Sequence, residues 1–121
     1  MKLFPTGALA FVLVFSVAML TACAEQMAVK SEDGILVSAQ GMTVYTYDSD
    51  KEGKSVCYGR CAINWPPVAP RGIVSGAFSV ITRDDGSLQL VFKGKPLYLY
   101  RGDHEVGERN GDTDVWHIVN P

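Results

Sequence analysis

Cys57-Tyr58-Gly59-Arg60-Cys61 carries the most reactive side chains of this sequence. Two cysteines separated by three residues permit three kinds of chemistry. Oxidised, they close a small disulfide loop, provided the chain between them turns; Gly59 accepts the positive φ that eases such a turn. As thiolates they are soft ligands for Cu(I), and His104 and His117 are present to complete a ligand set. As free thiols they serve other thiol redox chemistry. A c-type haem is excluded, because no Cys-x-x-Cys-His is present.

The carboxylates form two acidic loops. Asp48-Ser49-Asp50-Lys51-Glu52-Gly53 begins like a calcium-binding loop, but Gly59 stands at the twelfth position, where a bidentate Glu is needed. Asp103, Glu105, Glu108, Asp112 and Asp114 make the second loop, and a solvated acidic loop explains them better than a cation site does. Hydrolase chemistry lacks its parts. No serine sits in a Gly-x-Ser-x-Gly setting, and neither histidine has a nominated nucleophile. Phosphate-loop and dinucleotide fingerprints are absent. The basic residues, among them Lys51, Arg60, Lys93 and Lys95, are scattered and outnumbered by 13 Asp and Glu. Nothing there would track a phosphate backbone, so nucleic acid is not an expected partner.

Aromatic residues mark a repeat. Gly41-Met42-Thr43-Val44-Tyr45-Thr46-Tyr47-Asp48-Ser49-Asp50 recurs as Gly94-Lys95-Pro96-Leu97-Tyr98-Leu99-Tyr100-Arg101-Gly102-Asp103. Trp65 follows Tyr47 by 18 residues, and Trp116 follows Tyr100 by 16. Tyr45, Tyr47, Trp65, Tyr98, Tyr100 and Trp116 therefore form either a shared aromatic core or a stacking surface for a sugar, quinone or peptide. Their apolar rings and polar tips serve both. Equivalent placement in two copies favours the core. Asp50 and Asp103 then become turn acceptors for backbone N–H groups.

The elements that position these residues are strands. Ile35 to Ala39 turns at Gln40-Gly41 into Met42 to Tyr47, and Leu88 to Phe92 turns at Lys93-Gly94 into Pro96 to Tyr100. Phe78 to Thr82 is a further strand that ends at Asp84-Asp85-Gly86, and Val115 to Val119 is the last. Alternation puts Tyr45 and Tyr47 on one face with Val44 and Thr46 on the other. Tyr98 and Tyr100 share a face opposite Leu97 and Leu99, so that strand is apolar on both sides and should be central. A short helical turn is expected within 55–64, ended by Trp65-Pro66-Pro67. The expected fold is all-β or nearly so, a small sandwich or barrel of two related hairpin units, about 34–67 and 87–121, in one domain spanning 34–121.

The N-terminus reads as a targeting segment. Lys2 precedes an apolar run of 13 residues from Ala8 to Leu20. A transmembrane helix needs about 20, whereas a secretory signal has this length and ends in small residues. Leu20-Thr21-Ala22-Cys23 resembles the lipobox of bacterial lipoproteins. That resemblance implies a signal peptide over 1–22, diacylglycerol on the Cys23 sulfur, a tether over 23–33, and attachment to the membrane by the lipid. With Cys23 given to lipid, Cys57 and Cys61 are the one remaining pair. In an oxidising compartment such a pair usually becomes a disulfide. Its short loop limits the stabilisation to about 1–2 kcal/mol.

The segment from about Gly34 to Pro121 resembles the bacterial family of predicted lipoproteins described as secreted repeats of unknown function, which carry a Tyr-x-(Phe/Trp/Tyr)-x-x-Asp motif. The matching residues are Tyr45-x-Tyr47-x-x-Asp50, Cys57-x-x-x-Cys61-Ala62, Trp65-Pro66-Pro67, Gly94-Lys95-Pro96-Leu97-Tyr98 and Trp116. Leu90 stands where the family typically has a tryptophan. The resemblance implies a β-rich lipoprotein of the periplasm or cell surface and carries no settled activity. The expectation is thus an exported, membrane-tethered module of the cell envelope that performs no catalysis. It binds another envelope protein or a small ligand, or it is structural. A cofactor is not expected. The second reading is a redox or copper-handling accessory built on Cys57 and Cys61 with His104 or His117. Against copper stands the missing strand–helix alternation of the thioredoxin fold, in which copper chaperones use Cys-x-x-x-Cys. A small hydrolase is the third.

Overall fold

The computed structural model describes residues 26–121. The signal segment, Cys23 and the first residues of the tether lie outside the described residues. Seven strands and one helix follow: β1 Val29–Glu32, β2 Ile35–Ser38, β3 Tyr45–Tyr47, α1 Arg60–Asn64, β4 Phe78–Thr82, β5 Leu88–Phe92, β6 Lys95–Pro96 and β7 Trp116–Ile118. All named pairings are antiparallel, in three small sheets ordered β1-β2, β3-β7 and β4-β5-β6. The fold is nearly all β, as the sequence indicates. The barrel alternative is corrected, since no closed barrel forms among the described residues. The strand pairing is instead split among three separate sheets, with single bridges between them.

Each unit starts with a hairpin. β1 turns into β2 through Asp33 and Gly34, with φ of 51° and 78°. Positive φ at both positions is the backbone of a type I′ turn, whose twist matches that of the paired strands. The tether is corrected here, because its last residues Val29–Glu32 are strand. In the second unit β4 pairs with β5, Phe78 opposite Phe92 and Thr82 opposite Leu88, and β5 turns through Lys93-Gly94 into β6. The expected return strand of the first unit is also corrected. It stays beside β2 as far as the bridge between Val37 and Thr43, and then Tyr45–Tyr47 leaves to pair with β7.

That departure joins the two units. Tyr45 and Tyr98 exchange both backbone hydrogen bonds, at 2.8 and 2.9 Å. On the far side of Tyr45 lies Ile118, and on the far side of Tyr98 lies Pro67. The segment at or just after the tryptophan of each unit thus lies beside the tyrosine segment of the other. A pseudo-twofold runs between Tyr45 and Tyr98, and further bonds obey it. Leu36 N–H donates to Val119 O at 2.8 Å, and Leu90 N–H donates to Val68 O at 2.8 Å.

Alternation along the two central strands divides the interior into halves. Val44 and Leu97 face an aliphatic cluster with Leu36, Val68, Leu90 and Val119. Tyr45 and Tyr98 face the other way, into a cluster with Trp116 and Cys57. Leu97 and Tyr98 are both fully buried, which makes their strand central. Leu90 fills the aliphatic half. Helix α1 buries none of its residues; it carries Cys61 and delivers the chain to Trp65.

Candidate functional site

All six repeat aromatics meet in one cluster, arranged about the pseudo-twofold. Tyr45 meets Trp65 edge to face, with ring centroids 5.4 Å apart and planes at 82°. The counterpart, Tyr98 against Trp116, stands at 5.1 Å and 89°. The second tyrosine of each copy stacks on the other copy's tryptophan, Tyr47 on Trp116 at 4.1 Å and Tyr100 on Trp65 at 4.3 Å. The two indoles lie face to face at 3.7 Å and 3°. Tyr45, Tyr98 and Trp116 are buried, whereas Tyr47, Trp65 and Tyr100 are half-buried.

The aspartates cross between copies in the same way. Tyr45 hydroxyl donates to Asp103 Oδ2 at 2.6 Å, and Tyr98 hydroxyl donates to Asp50 Oδ2 at 2.5 Å. The other oxygen of each carboxylate accepts a backbone N–H from its own loop, Val56 to Asp50 and Asn110 to Asp103, both at 2.9 Å. Each aspartate therefore holds its loop in shape and ties it to the opposite unit. Gly111 permits the second loop to close. A Cβ there would fall 2.7 Å from the Trp65 ring and 2.8 Å from the Tyr45 ring, and its N–H donates to Tyr45 hydroxyl at 3.2 Å. Burial and the hydrogen bond to Asp103 push the Tyr45 phenol well above its ordinary value. Burial, then the bond to Asp50, pushes Tyr98 up to about 12. Burial also raises the Asp50 carboxyl, against bonds from Tyr98 and Val56 and the charge of Arg83.

The family model described as a secreted repeat of unknown function matches residues 27–69 and again residues 79–120. This chain belongs to that family of secreted repeats. No curated protein and no solved structure matches it. The two matched segments coincide with the two halves of the pseudo-symmetric structure, each running from its first hairpin to the tryptophan segment.

The two secreted repeats differ in what surrounds the shared core. Only the first carries a disulfide among the described residues. Cys57 and Cys61 are joined with Cα atoms 5.2 Å apart, and Cys57 is fully buried against the aromatic cluster. Replacing both by serine should cost about 2 kcal/mol, the loop-closure value for so short a ring. Thermal unfolding of the two proteins checks it, and an unchanged midpoint would show that the bridge constrains nothing.

Arg83 is the feature that sequence reasoning missed. It is buried after β4 and points into the first repeat's loop. One terminal nitrogen donates to Ser55 Oγ at 2.9 Å and to Gln89 Oε1 at 2.7 Å, and the other donates to Cys57 O. Its guanidinium also sits 4.5 Å from the Tyr58 ring centroid. Donor accounting orients the rest. Ser55 Oγ accepts from Arg83 and from Cys57 N–H, so its own hydrogen goes to Tyr98 hydroxyl, 2.6 Å away, leaving that phenol free to donate to Asp50. Gln89 amide donates to Leu97 O at 2.8 Å. A glutamine inside the apolar run Leu88–Phe92 was the sequence signal for this network.

The two histidines lie apart from the disulfide's chemistry. His117 Nε2 lies 2.9 Å from Asp48 Oδ1 at the surface. His104 is exposed, and its backbone N–H is held by Glu108. No group of three His, Cys, Asp or Glu among the described residues is placed to hold a metal ion. Beside His117 run two adjoining hollows of about 200 and 220 Å³ that share Thr46, Lys93 and Lys95. Each is smaller than the roughly 300 Å³ at which enclosed small-molecule sites begin.

Proposed function

We propose that this protein is a lipid-anchored, non-catalytic module of the cell envelope, in which two secreted repeats are locked together and displayed close to a membrane. The observation that carries the non-catalytic reading is the state of the central polar groups. Both phenols are hydrogen-bonded to the two motif carboxylates, and both carboxylates also to loop backbone, which holds a fold and leaves none of these four groups poised to attack a substrate. The hollows beside His117 are open to solvent rather than enclosed, which favours a partner met at the surface, an envelope protein rather than a small ligand. Membership in a family of secreted repeats and the Cys57–Cys61 disulfide both fit export.

Anchoring rests on Leu20-Thr21-Ala22-Cys23. From Cys23 to Ala28, where the buried part begins, a fully extended chain reaches at most ~18 Å. An acylated Cys23 would therefore hold the domain against the headgroups, and two or more acyl chains make such attachment persistent. Cys23→Ser should move the protein from the membrane fraction to the soluble fraction without changing its thermal midpoint. Mass spectrometry of the parent should find the mature N-terminus at Cys23 with added acyl mass. An unmodified terminus at Ala24 or Glu25 would refute the anchor. Crosslinking in the native envelope, followed by identification of what is captured, tests the module. A purified protein that turns over a chromogenic ester or amide would overturn its non-catalytic character.

A further inference from the structure

Four of the aromatic rings form one continuous column in the order Tyr47, Trp116, Trp65, Tyr100, with centroid spacings of 4.1, 3.7 and 4.3 Å and interplanar angles of 8°, 3° and 27°. Cores assembled for burial alone favour offset or edge-to-face pairs. Here four rings stack in succession, closer than the roughly 4.5–7 Å usual between aromatic centroids, and the two ends of the column, Tyr47 and Tyr100, reach solvent in part. Each indole also meets, at its edge, a buried tyrosine whose hydroxyl donates to a carboxylate, Tyr45 to Asp103 beside Trp65 and Tyr98 to Asp50 beside Trp116.

These parts share one chemistry. Tyrosine and tryptophan are the side chains that most readily surrender a single electron once cysteines are tied up in a disulfide. Close overlap of π faces lets the resulting electron deficiency spread and move. An oxidised phenol is a very strong acid, so a tyrosine loses its electron easily only where a base waits for the proton. Asp103 Oδ2 and Asp50 Oδ2 are such bases, already in hydrogen-bond contact.

We propose that the column is a one-electron relay that takes oxidising equivalents from radicals at the protein surface and stores them on Tyr45 or Tyr98. In the first step a radical oxidant accepts one electron from the column and leaves as its anion, which puts an indole radical cation on Trp65 or Trp116. In the second step that indole regains its electron from the adjacent buried tyrosine. The phenol proton passes at the same time to the paired aspartate. The products are a neutral tyrosyl radical and a neutral carboxylic acid, so charge and electrons balance. A reductant of the ascorbate or quinol class returns one electron, the proton goes back to the phenol oxygen, and the site is restored. The relay goes beyond the anchoring role and does not depend on it.

Pulse radiolysis with azide radical, which takes one electron and becomes azide anion, tests the relay on the purified full chain. The expected course is an indolyl signal that converts into a tyrosyl signal at a rate independent of protein concentration. Tyr45→Phe together with Tyr98→Phe keeps both rings and should abolish most of the tyrosyl signal, while Tyr47→Phe together with Tyr100→Phe should retain it. Heavy water should slow the conversion in the unaltered protein, because a proton moves with the electron; this needs no variant to fold. A rate proportional to protein concentration, an unchanged tyrosyl yield in the Tyr45→Phe/Tyr98→Phe variant, or equal rates in light and heavy water would overturn the proposal.

Discussion

Trp116→Ala should cost about 3–5 kcal/mol of stability, the range for deleting a buried tryptophan. Trp116 is only 6% exposed, and its indole touches three partners at once: Trp65 across one face, Tyr47 across the other and Tyr98 at the edge. Its deletion leaves a flat void between the Trp65 and Tyr47 rings, whose backbones are held in place, Trp65 N–H by Cys61 O at 2.7 Å and Tyr47 by its pairing with β7. The site therefore collapses poorly, and poor collapse raises the cost. A small domain has on the order of 5–15 kcal/mol in all, so the loss is a large share of the total. Trp65→Ala is the internal control. The pseudo-twofold gives Trp65 the matching contacts, yet it is half-buried, so its deletion returns less apolar area to water and should cost roughly half as much. Urea denaturation of the three proteins measures both. A Trp65→Ala loss equal to or larger than that of Trp116→Ala would contradict the burial argument.

Much of this arrangement was legible in residue order. Val44-Tyr45-Thr46-Tyr47 and Leu97-Tyr98-Leu99-Tyr100 alternate, and alternation assigns faces whatever the partner strand is. Lys93-Gly94 marked its own turn, and Pro66-Pro67 marked the end of the helical turn. What residue order concealed is the exchange between copies. A repeat shows that two segments are alike, but a tryptophan segment can pair with the tyrosine segment of its own copy or of the other at the same local cost. Only the three-dimensional closure around Tyr45 and Tyr98 decides it. The partners of Asp50 and Asp103 were hidden for the same reason, since the motif spaces each aspartate near a tyrosine of its own copy while the bond goes to the other. β1 was concealed differently. Val29-Lys30-Ser31-Glu32 buries a single side chain, so it shows no apolar pattern, and Asp33-Gly34 was the one available signal. Arg83 stands directly before the turn Asp84-Asp85-Gly86, where a charged residue is ordinarily solvated, so nothing in the sequence around it marks it for burial.

Raising the pH should destabilise the fold through its two buried phenols. An unfolded tyrosine loses its proton near 10.0, whereas Tyr98 in the folded protein keeps its proton up to about 12. Below the unfolded value both states hold the proton and the contribution is fully present. Between the two values the folded state binds more protons than the unfolded state, so stability falls as pH rises through this window. For Tyr98 the fall is on the order of 2–3 kcal/mol. Tyr45 is shifted in the same direction for the same leading reason, burial, and adds to the fall. The hydroxyls resist ionising in place, because burial disfavours the charge and each would become an anion facing Asp50 or Asp103. Tyr98→Phe separates this effect from every other alkaline change. At neutral pH the variant should be less stable by about 1.5–3 kcal/mol, the worth of a hydrogen bond to a charged acceptor, because Asp50 Oδ2 and Ser55 lose their partner. Its stability should then decline less steeply than the parent's above about pH 10, and the two curves should converge. Denaturant unfolding at a series of pH values measures this directly. Parallel curves would mean that Tyr98 ionises in the folded protein as easily as in water, and the cross-copy bond to Asp50 would then contribute nothing to holding its proton.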